Sequence, residues 1–467
     1  MRVRLIPRFA LAIVAALLLC NSSAFAGTIY VFNANEPDVA KGLAGTFFDA
    51  RFYLDQNSQP IESTHELLPG QGTALYVPDG ASSAFLDVPP GFFATYIDPF
   101  TGEAYRGIAP SSTGVVGVTP VMTYADSDTN TLRVTNTMSP TADLQVNFIP
   151  ISGIDSISYT ASLGPYETLQ LHAPENFFGS AVLDGGGQPV AVTNQFSGEG
   201  NAAVGGFATE AQEVAIPTIP HDTNGFTSNI YVQNLGSDST GVTVNYYGED
   251  GTSLGTSNYG LCGNQGFVTS SYSSPQGAAQ AVVTSSDQPI AVTVKSTNND
   301  GDDAFAFQGV PESDASKLVC FPGVFNAFMG ETTLISIRNS GGSEADVDIT
   351  IRKQDGSVAV FWGETIPAGG STVVDLSSIE ELPSGFAGIA FIESDQDIVC
   401  VGITRDADGN SFAYEGGPLT SRKRDAVSTL VFPAVSSSPY EAIEELIQEY
   451  ASKDNDLDCF IQALGVK

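Results

Sequence analysis

The chain has 467 residues, 53 Asp and Glu against 18 Lys and Arg, and a formal charge of −35. A polymer this acidic is excluded as a nucleic-acid or anionic-lipid binder, because both are held through Lys and Arg that displace counterions. With 42% hydrophobic residues it is not a disordered chain, and 48 Gly and 26 Pro among abundant Val, Thr and Ser give a turn-rich β composition, at a length of about three to four domains.

Arg2, Arg4 and Arg8 precede an apolar run from Phe9 to Leu19, and Ala24-Phe25-Ala26 places small residues where a signal peptidase reads. Residues 1–26 are therefore expected to be a signal peptide cut after Ala26. The apolar run is too short to span a bilayer, and Leu19 before Cys20 is not the small residue that lipid attachment wants. No other stretch predicts membrane insertion. The product is expected to be secreted, extracellular or at the cell surface. Four cysteines follow, Cys262, Cys320, Cys400 and Cys459, an even number in a chain that leaves a reducing compartment, so two disulfides are expected. Cys262 with Cys320 and Cys400 with Cys459 is the preferred pairing, each bond clamping a junction; the two other pairings stay open.

Internal repeats organise the rest. Four strand-like runs end in Asn, at Asn33, Asn136, Asn234 and Asn339, spaced 103, 98 and 105 residues. After the last three come alternating runs (LQVNF, VTVNYY, VDITI), then paired apolar runs around a polar turn that read as hairpins. Repeat one is divergent. An apolar strand closed by proline precedes each later repeat, at Pro120, Pro217 and Pro322, and a fourth copy, LVFP at Pro433, has no repeat after it. There Ser438-Pro439-Tyr440-Glu441 predicts a helix start, with Tyr440, Ile443, Leu446, Ile447 and Tyr450 on one face and a second short helix around Phe460. The tail reads as a cap on the last sandwich edge or as a docking helix.

Units of about 100 residues with seven or eight short strands predict an all-β chain of tandem immunoglobulin-like β-sandwich domains with a short C-terminal helical tail. The expected boundaries are 27–112 for a divergent sandwich, 113–210, 211–312 and 313–418 for three repeats, and 419–467 for a linker and helices. Each unit is long enough to bury its own core, so a string of beads is expected. Residues 118–417, notably IPTIPHDTNGFTSNIYVQNLGSDSTGVTVNYYGEDG, AQAVVTSSDQPIAV and LPSGFAGIAFIESDQDIV, resemble a tandem extracellular repeat of secreted, largely uncharacterised proteins of Chloroflexi-like bacteria. The resemblance implies export and a surface or matrix setting, and it implies no catalytic residues.

Signals for chemistry are weak. Gly251-Thr-Ser-Leu-Gly255 fits the hydrolase nucleophile elbow, but it follows a hairpin turn and no helix pattern comes after it. His65, His172 and His221 lie in different repeats without a repeated Ser or Asp partner. No enzyme is expected. Acidic turns put oxygen ligands at alternate positions, Asp126, Asp128 and Asn130; Asp300 and Asp302; Asp406, Asp408 and Asn410. They read either as plain turns, where Asp, Asn and Gly belong on backbone grounds, or as weak Ca²⁺ sites. Calcium is the one cofactor the sequence admits. Ser421-Arg-Lys-Arg424 reads as a linker, a processing site or a contact with an acidic neighbour.

Two function classes follow. One is a noncatalytic cell-surface or extracellular-matrix protein, structural or adhesive, whose partners are other surface proteins or itself. A variant of it is a self-polymerising filament or lattice, with the strand TIYVF, starting at Thr28, donated to a neighbour's sheet edge. The other is a polysaccharide binder with Tyr246, Tyr247, Tyr259 and Trp362 stacking on sugar rings, which requires several of them on one solvent face.

Overall fold

The computed structural model describes residues 27–35, 45–54, 59–78, 80–98, 101, 103–108, 115–123, 129–151, 156–198, 201–207, 211–223, 225–406, 410–418, 429–433 and 435. The signal peptide and the tail helices lie outside them, as do Asp126, Asp128, Asp408 and Cys459. The described chain is nearly all antiparallel β, as the composition and alternation predict.

One sandwich plan occurs four times. In the second repeat, one sheet runs Ile157–Leu163, Ala142–Pro150, Phe177–Asp184, Val115–Thr123, and the facing sheet runs Thr168–His172, Thr129–Asn136, Val190–Ser197, Ala202–Gly205. The third repeats it with Ser253–Leu261, Thr240–Tyr247, Gln280–Ser285, Glu213–Ile216 over Gly266–Ser270, Phe226–Asn234, Ile290–Asn298, Ala304–Gln308. In the fourth, the 20-residue strand Phe386–Arg405 runs through both sheets, beside Ser316–Asn326 in one and Thr332–Asn339 in the other. Leu132, Val134, Leu144, Val146, Ala181 and Val192 illustrate the core: residues at alternate positions of both sheets, fully buried between them.

The recurrent Asn is a bolt between the two sheets. Asn339, fully buried, donates from Nδ2 to the carbonyls of Ser343 (2.8 Å), Ile366 (3.1 Å) and Pro367 (3.0 Å), and its Oδ1 accepts from the Gly341 N–H (2.8 Å). Asn136 and Asn234 make the corresponding bonds to Leu163 and Cys262, and Asn33 to Leu67. A side chain with two donors and an acceptor, fixed at the end of one sheet, thereby ties down the edge strand of the other. This explains the sequence period.

The divergent first unit follows the same plan but lacks a leading strand of its own. Its sheet Ile61–Leu67, Thr46–Leu54, Ala81–Asp87 is completed by Thr429–Phe432, the orphan copy of the proline-closed strand. Val431 and Ile108 exchange backbone hydrogen bonds (2.9 and 3.0 Å) just as Gly117 and Phe207 do within the second unit. A segment expected in the linker and tail thus belongs to the first sandwich. The strand Thr28–Asn33, considered above for donation to a neighbour, is a central strand here, paired with Gly72–Tyr76 and Phe92–Asp98 and buried.

Closure overturns the string of beads. The last strands of the four units, Glu103–Arg106, Ala202–Gly205, Ala304–Gln308 and Ser411–Glu415, touch one another in cyclic order around a common axis. Sheets of successive units also pack outer face to outer face. Phe85 and Val431 meet Ala191; Phe196 and Val204 meet Ala306; Val401 and Ala413 join the third unit's core; Cys320 and Ile389 meet Phe32 and Phe93. Apolar residues on both faces of a strand, as in AFAFQ, SFAYE and FFATYID, are what such a ring needs.

Candidate functional site

Two regions stand out once the ring is drawn: the hub on its axis and the rim of edge strands. At one end of the hub, Arg106, Gly205, Gln308 and Glu415 occupy equivalent places at the ends of the inner strands around a cavity of about 150 Å³. Each is followed by a glycine that the leading strand of its own unit approaches. A Cβ on Gly206, Gly309 or Gly416 would lie 2.5, 2.5 or 2.3 Å from Val116, Val214 or Val319, and one on Gly107 would lie 2.9 Å from Phe432. The polar groups satisfy one another across units. The Gln308 N–H donates to Glu415 Oε1, Gln308 Nε2 donates to the Gly205 carbonyl, and Arg106 Nη1 donates to the Gly416 carbonyl at 3.4 Å. Burial raises the Glu415 carboxyl above its usual range, with Arg106 opposing.

The other end carries buried acids. Glu103 accepts from Gln195 Nε2 (2.8 Å), which is held in turn by Arg133 Nε (2.7 Å), and burial with the nearby Asp98 pushes its pKa up to about 7. Glu331 is pushed to about 8 by burial, Asp406 and Asp98. The Asp303 carboxylate crosses from the third unit to accept from Ser411 N–H (2.7 Å) and Oγ (2.8 Å), and the Arg405 guanidinium lies 4.5 Å over the Phe226 ring. These groups join units to each other. Sequence reasoning missed both ends of the hub; a signal was available only for the cavity end, in the recurrence Arg-Gly, Gly-Gly, Gln-Gly and Glu-Gly where each inner strand finishes.

Other sequence-marked residues do not converge. Tyr246 is fully buried in the third unit's core, because Phe148 and Ile351 at the same repeat position are also core, so it cannot stack on a sugar. Tyr247 is half-buried on the same strand; Tyr259 packs on Phe267 at 4.1 Å, with its hydroxyl 3.0 Å from Thr269 Oγ1; Trp362 lies on the fourth unit and donates to Glu364 Oε1 (2.8 Å). Among the described residues Cys262, Cys320 and Cys400 make no disulfide with one another: Cys262 is exposed on a turn of the third unit, Cys320 is buried at the junction of the fourth and first, and Cys400 is buried in the fourth unit's core, its expected partner Cys459 lying outside the described residues. The expected Cys262–Cys320 bond is therefore not made. Asn130 is buried and donates to Asn194 Oδ1 (2.7 Å). Asp302 Oδ1 accepts from Asn298, Asp300 is at the tip of the same turn, and Asp406 accepts from both the backbone and side-chain N–H groups of Asn410 (2.8 and 2.7 Å). Among the described residues, no group of three or more His, Cys, Asp or Glu is arranged to hold a metal ion.

The architecture defines a class, a closed ring of four β-sandwiches whose last described strand completes its first unit. Within that class the chain belongs to a family of unknown function (DUF5719), whose model matches residues 188–433 and so reaches through the closing strand. None of the curated proteins matches it. Among solved structures, Thermotoga maritima 1070 is 19% identical over 22% of this chain and 95% of that one, with a TM-score of 0.20. A mutant major pilin from Streptococcus pyogenes is 10% identical over 84% and 99% (TM-score 0.14). A tetra-tandem repeat from the extending region of a large adhesion protein is 12% identical over 86% and 97% (TM-score 0.11).

Proposed function

We propose that the protein is a noncatalytic, exported structural or adhesion protein of the cell surface or extracellular matrix, working as a rigid ring that presents its rim to other surface proteins. The observation that carries this reading is the closure itself. Four sandwiches share one hub whose charged and amide side chains are committed to hydrogen bonds between units, which makes a stiff body rather than a flexible spacer. The rim is what remains to make contacts.

Mass spectrometry of the extracellular and envelope fractions of the producing cell tests export, with Gly27 expected as the first residue. Labelled ring added to those cells tests attachment, with saturable retention expected. Protein confined to the cytoplasm, or no retention on cells or matrix, overturns the proposal. Solution scattering tests the rigid body: a compact particle of this size has a radius of gyration of about 22 Å, and the same units strung out exceed it by a wide margin.

A further inference from the structure

Among the described residues, each unit ends one of its sheets in an edge strand at the rim: Ile61–Leu67, Ile157–Leu163, Ser253–Leu261 and Val358–Ile366. Edge strands expose unpaired backbone groups that template pairing with another chain, and proteins blunt them with charge, bulges or glycine. Three of these four are blunted. The first carries Glu62, His65 and Glu66; the third carries Gly255 at φ +151° beside a register shift at Tyr246/Tyr247; the fourth carries Gly363 and Glu364, with a register shift at its other end opposite Ile351/Arg352.

The second has none of these devices. Ile157-Ser-Tyr-Thr-Ala-Ser-Leu163 contains no charge, glycine or proline, and it runs in unbroken register against Ala142–Phe148. On its solvent face Ser158 Oγ donates to Asn147 Oδ1 (2.7 Å) and Ser162 Oγ donates to Asp143 Oδ1 (2.8 Å), tying it to the neighbouring strand. Ile157 and Tyr159 are 46% and 44% exposed. On a chain of charge −35, an uncharged strand is where two copies meet with the least repulsion, and this strand is one.

We propose that Ile157–Leu163 pairs antiparallel with the same strand of a second copy, joining two rings through one continuous sheet. The pairing is isologous: with the twofold at the strand centre, Thr160 faces Thr160, Tyr159 faces Ala161, and Ile157 faces Leu163. A seven-residue edge contact is small for a protein interface, so the dimer forms at micromolar rather than nanomolar concentration. Salt tightens it by screening the two anionic bodies. The inference goes beyond the structural or adhesion reading and does not rest on it.

Sedimentation velocity from about 1 to about 300 µM tests it, at about 0.05 M and about 0.3 M NaCl. A monomer–dimer equilibrium that tightens with salt is expected. Thr160→Asp, which sets like charges opposite each other, weakens it at least tenfold, whereas Asn258→Asp on the third unit's edge leaves it unchanged. Both substitutions are on exposed positions that leave the core untouched. With Cys262→Ser and Cys459→Ser as background, Thr160→Cys gives a disulfide-linked dimer on mild oxidation. A monomer at the highest concentration, or a dimer indifferent to Thr160→Asp, overturns the proposal; neither result touches retention on cells, which tests the other reading.

Discussion

Removing the closing strand should open the first unit and leave the other three intact. Val431 and Phe432 are fully buried and Val435 nearly so, within clusters that include Leu86, Ala84 and Tyr105 of the first unit. Burying a Val or Phe side chain stabilises by about 1.5–3 kcal/mol, so these three contribute about 5–9 kcal/mol. The loss also strips the backbone ladder from Ala84–Asp87 and the bond from Thr429 Oγ1 to Asp87 Oδ1 (2.6 Å). A domain is held by about 5–15 kcal/mol, so the truncated first unit has little or no stability left. The comparison is between chains ending at 426 and at 436, which separates the strand from the tail. Hydrogen exchange is expected to show loss of protection across residues 46–106 in the shorter chain and unchanged protection at residues 226–298 in both. A synthetic Thr429–Val435 peptide should restore it. Full protection of the first unit in the shorter chain would refute the closure and return that unit to self-sufficiency.

Asn339→Asp places a buried, unpaired carboxylate against three carbonyl oxygens, at a cost of about 3–5 kcal/mol; a drop in Tm of 2–4 °C per kcal/mol is expected by calorimetry, and Asn258→Asp should produce none. Gly309→Ala drives a methyl to 2.5 Å from Val214 Cγ1 and should cost about 1–3 kcal/mol, while Gly260→Ala, which meets nothing within 4 Å, should not, as read from denaturant midpoints. The hub should also loosen as pH rises. Glu103 and Glu331 have native pKa values of about 7 and about 8, above the 4.5 of the unfolded chain, so the native state holds their protons more tightly. Their stabilising contribution is fully present below about pH 4.5 and is lost by about pH 8. Glu331→Gln should flatten the Tm–pH curve across that window; an unchanged slope would leave the overall negative charge as its cause.

The all-β sandwich fold and the spacing of its buried Asn residues were legible because they depend on local patterning. Alternation over VTVNYY or VDITI fixes which face is buried whatever the neighbours are, and Asn at the end of each second strand marks a bolt whose partners lie within its own repeat. The ring was not legible, since it rests on contacts between residues that pattern cannot pair. Strands buried on both faces, such as FFATYID, look like ordinary core strands in sequence. The hub acids carry no mark in the sequence, because only closure places Asp98 of the first unit beside Glu331 of the fourth. Tyr246 was misread for the same reason in reverse: an aromatic with a polar tip gives no sign, by composition alone, of which sheet face it takes.

Closure also orders the assembly of the chain. The second, third and fourth units each carry their leading strand ahead of the strands it joins, so each can complete its sheets from contiguous sequence. The first unit cannot. Asp87 waits for Thr429, 342 residues later, and until that strand arrives the edge of Ala81–Asp87 and the apolar faces of Phe85 and Leu86 lack their cover. Pairing over so long a loop comes late, because the loop entropy must be met before the contact stabilises anything. Synthesis delivers the N-terminus first, so the edge of Ala81–Asp87 stays open until Thr429–Phe432 completes the first sandwich. The joint between the chain's C-terminal part and its first unit is therefore a late folding step, and C-terminal truncation acts on the N-terminal unit.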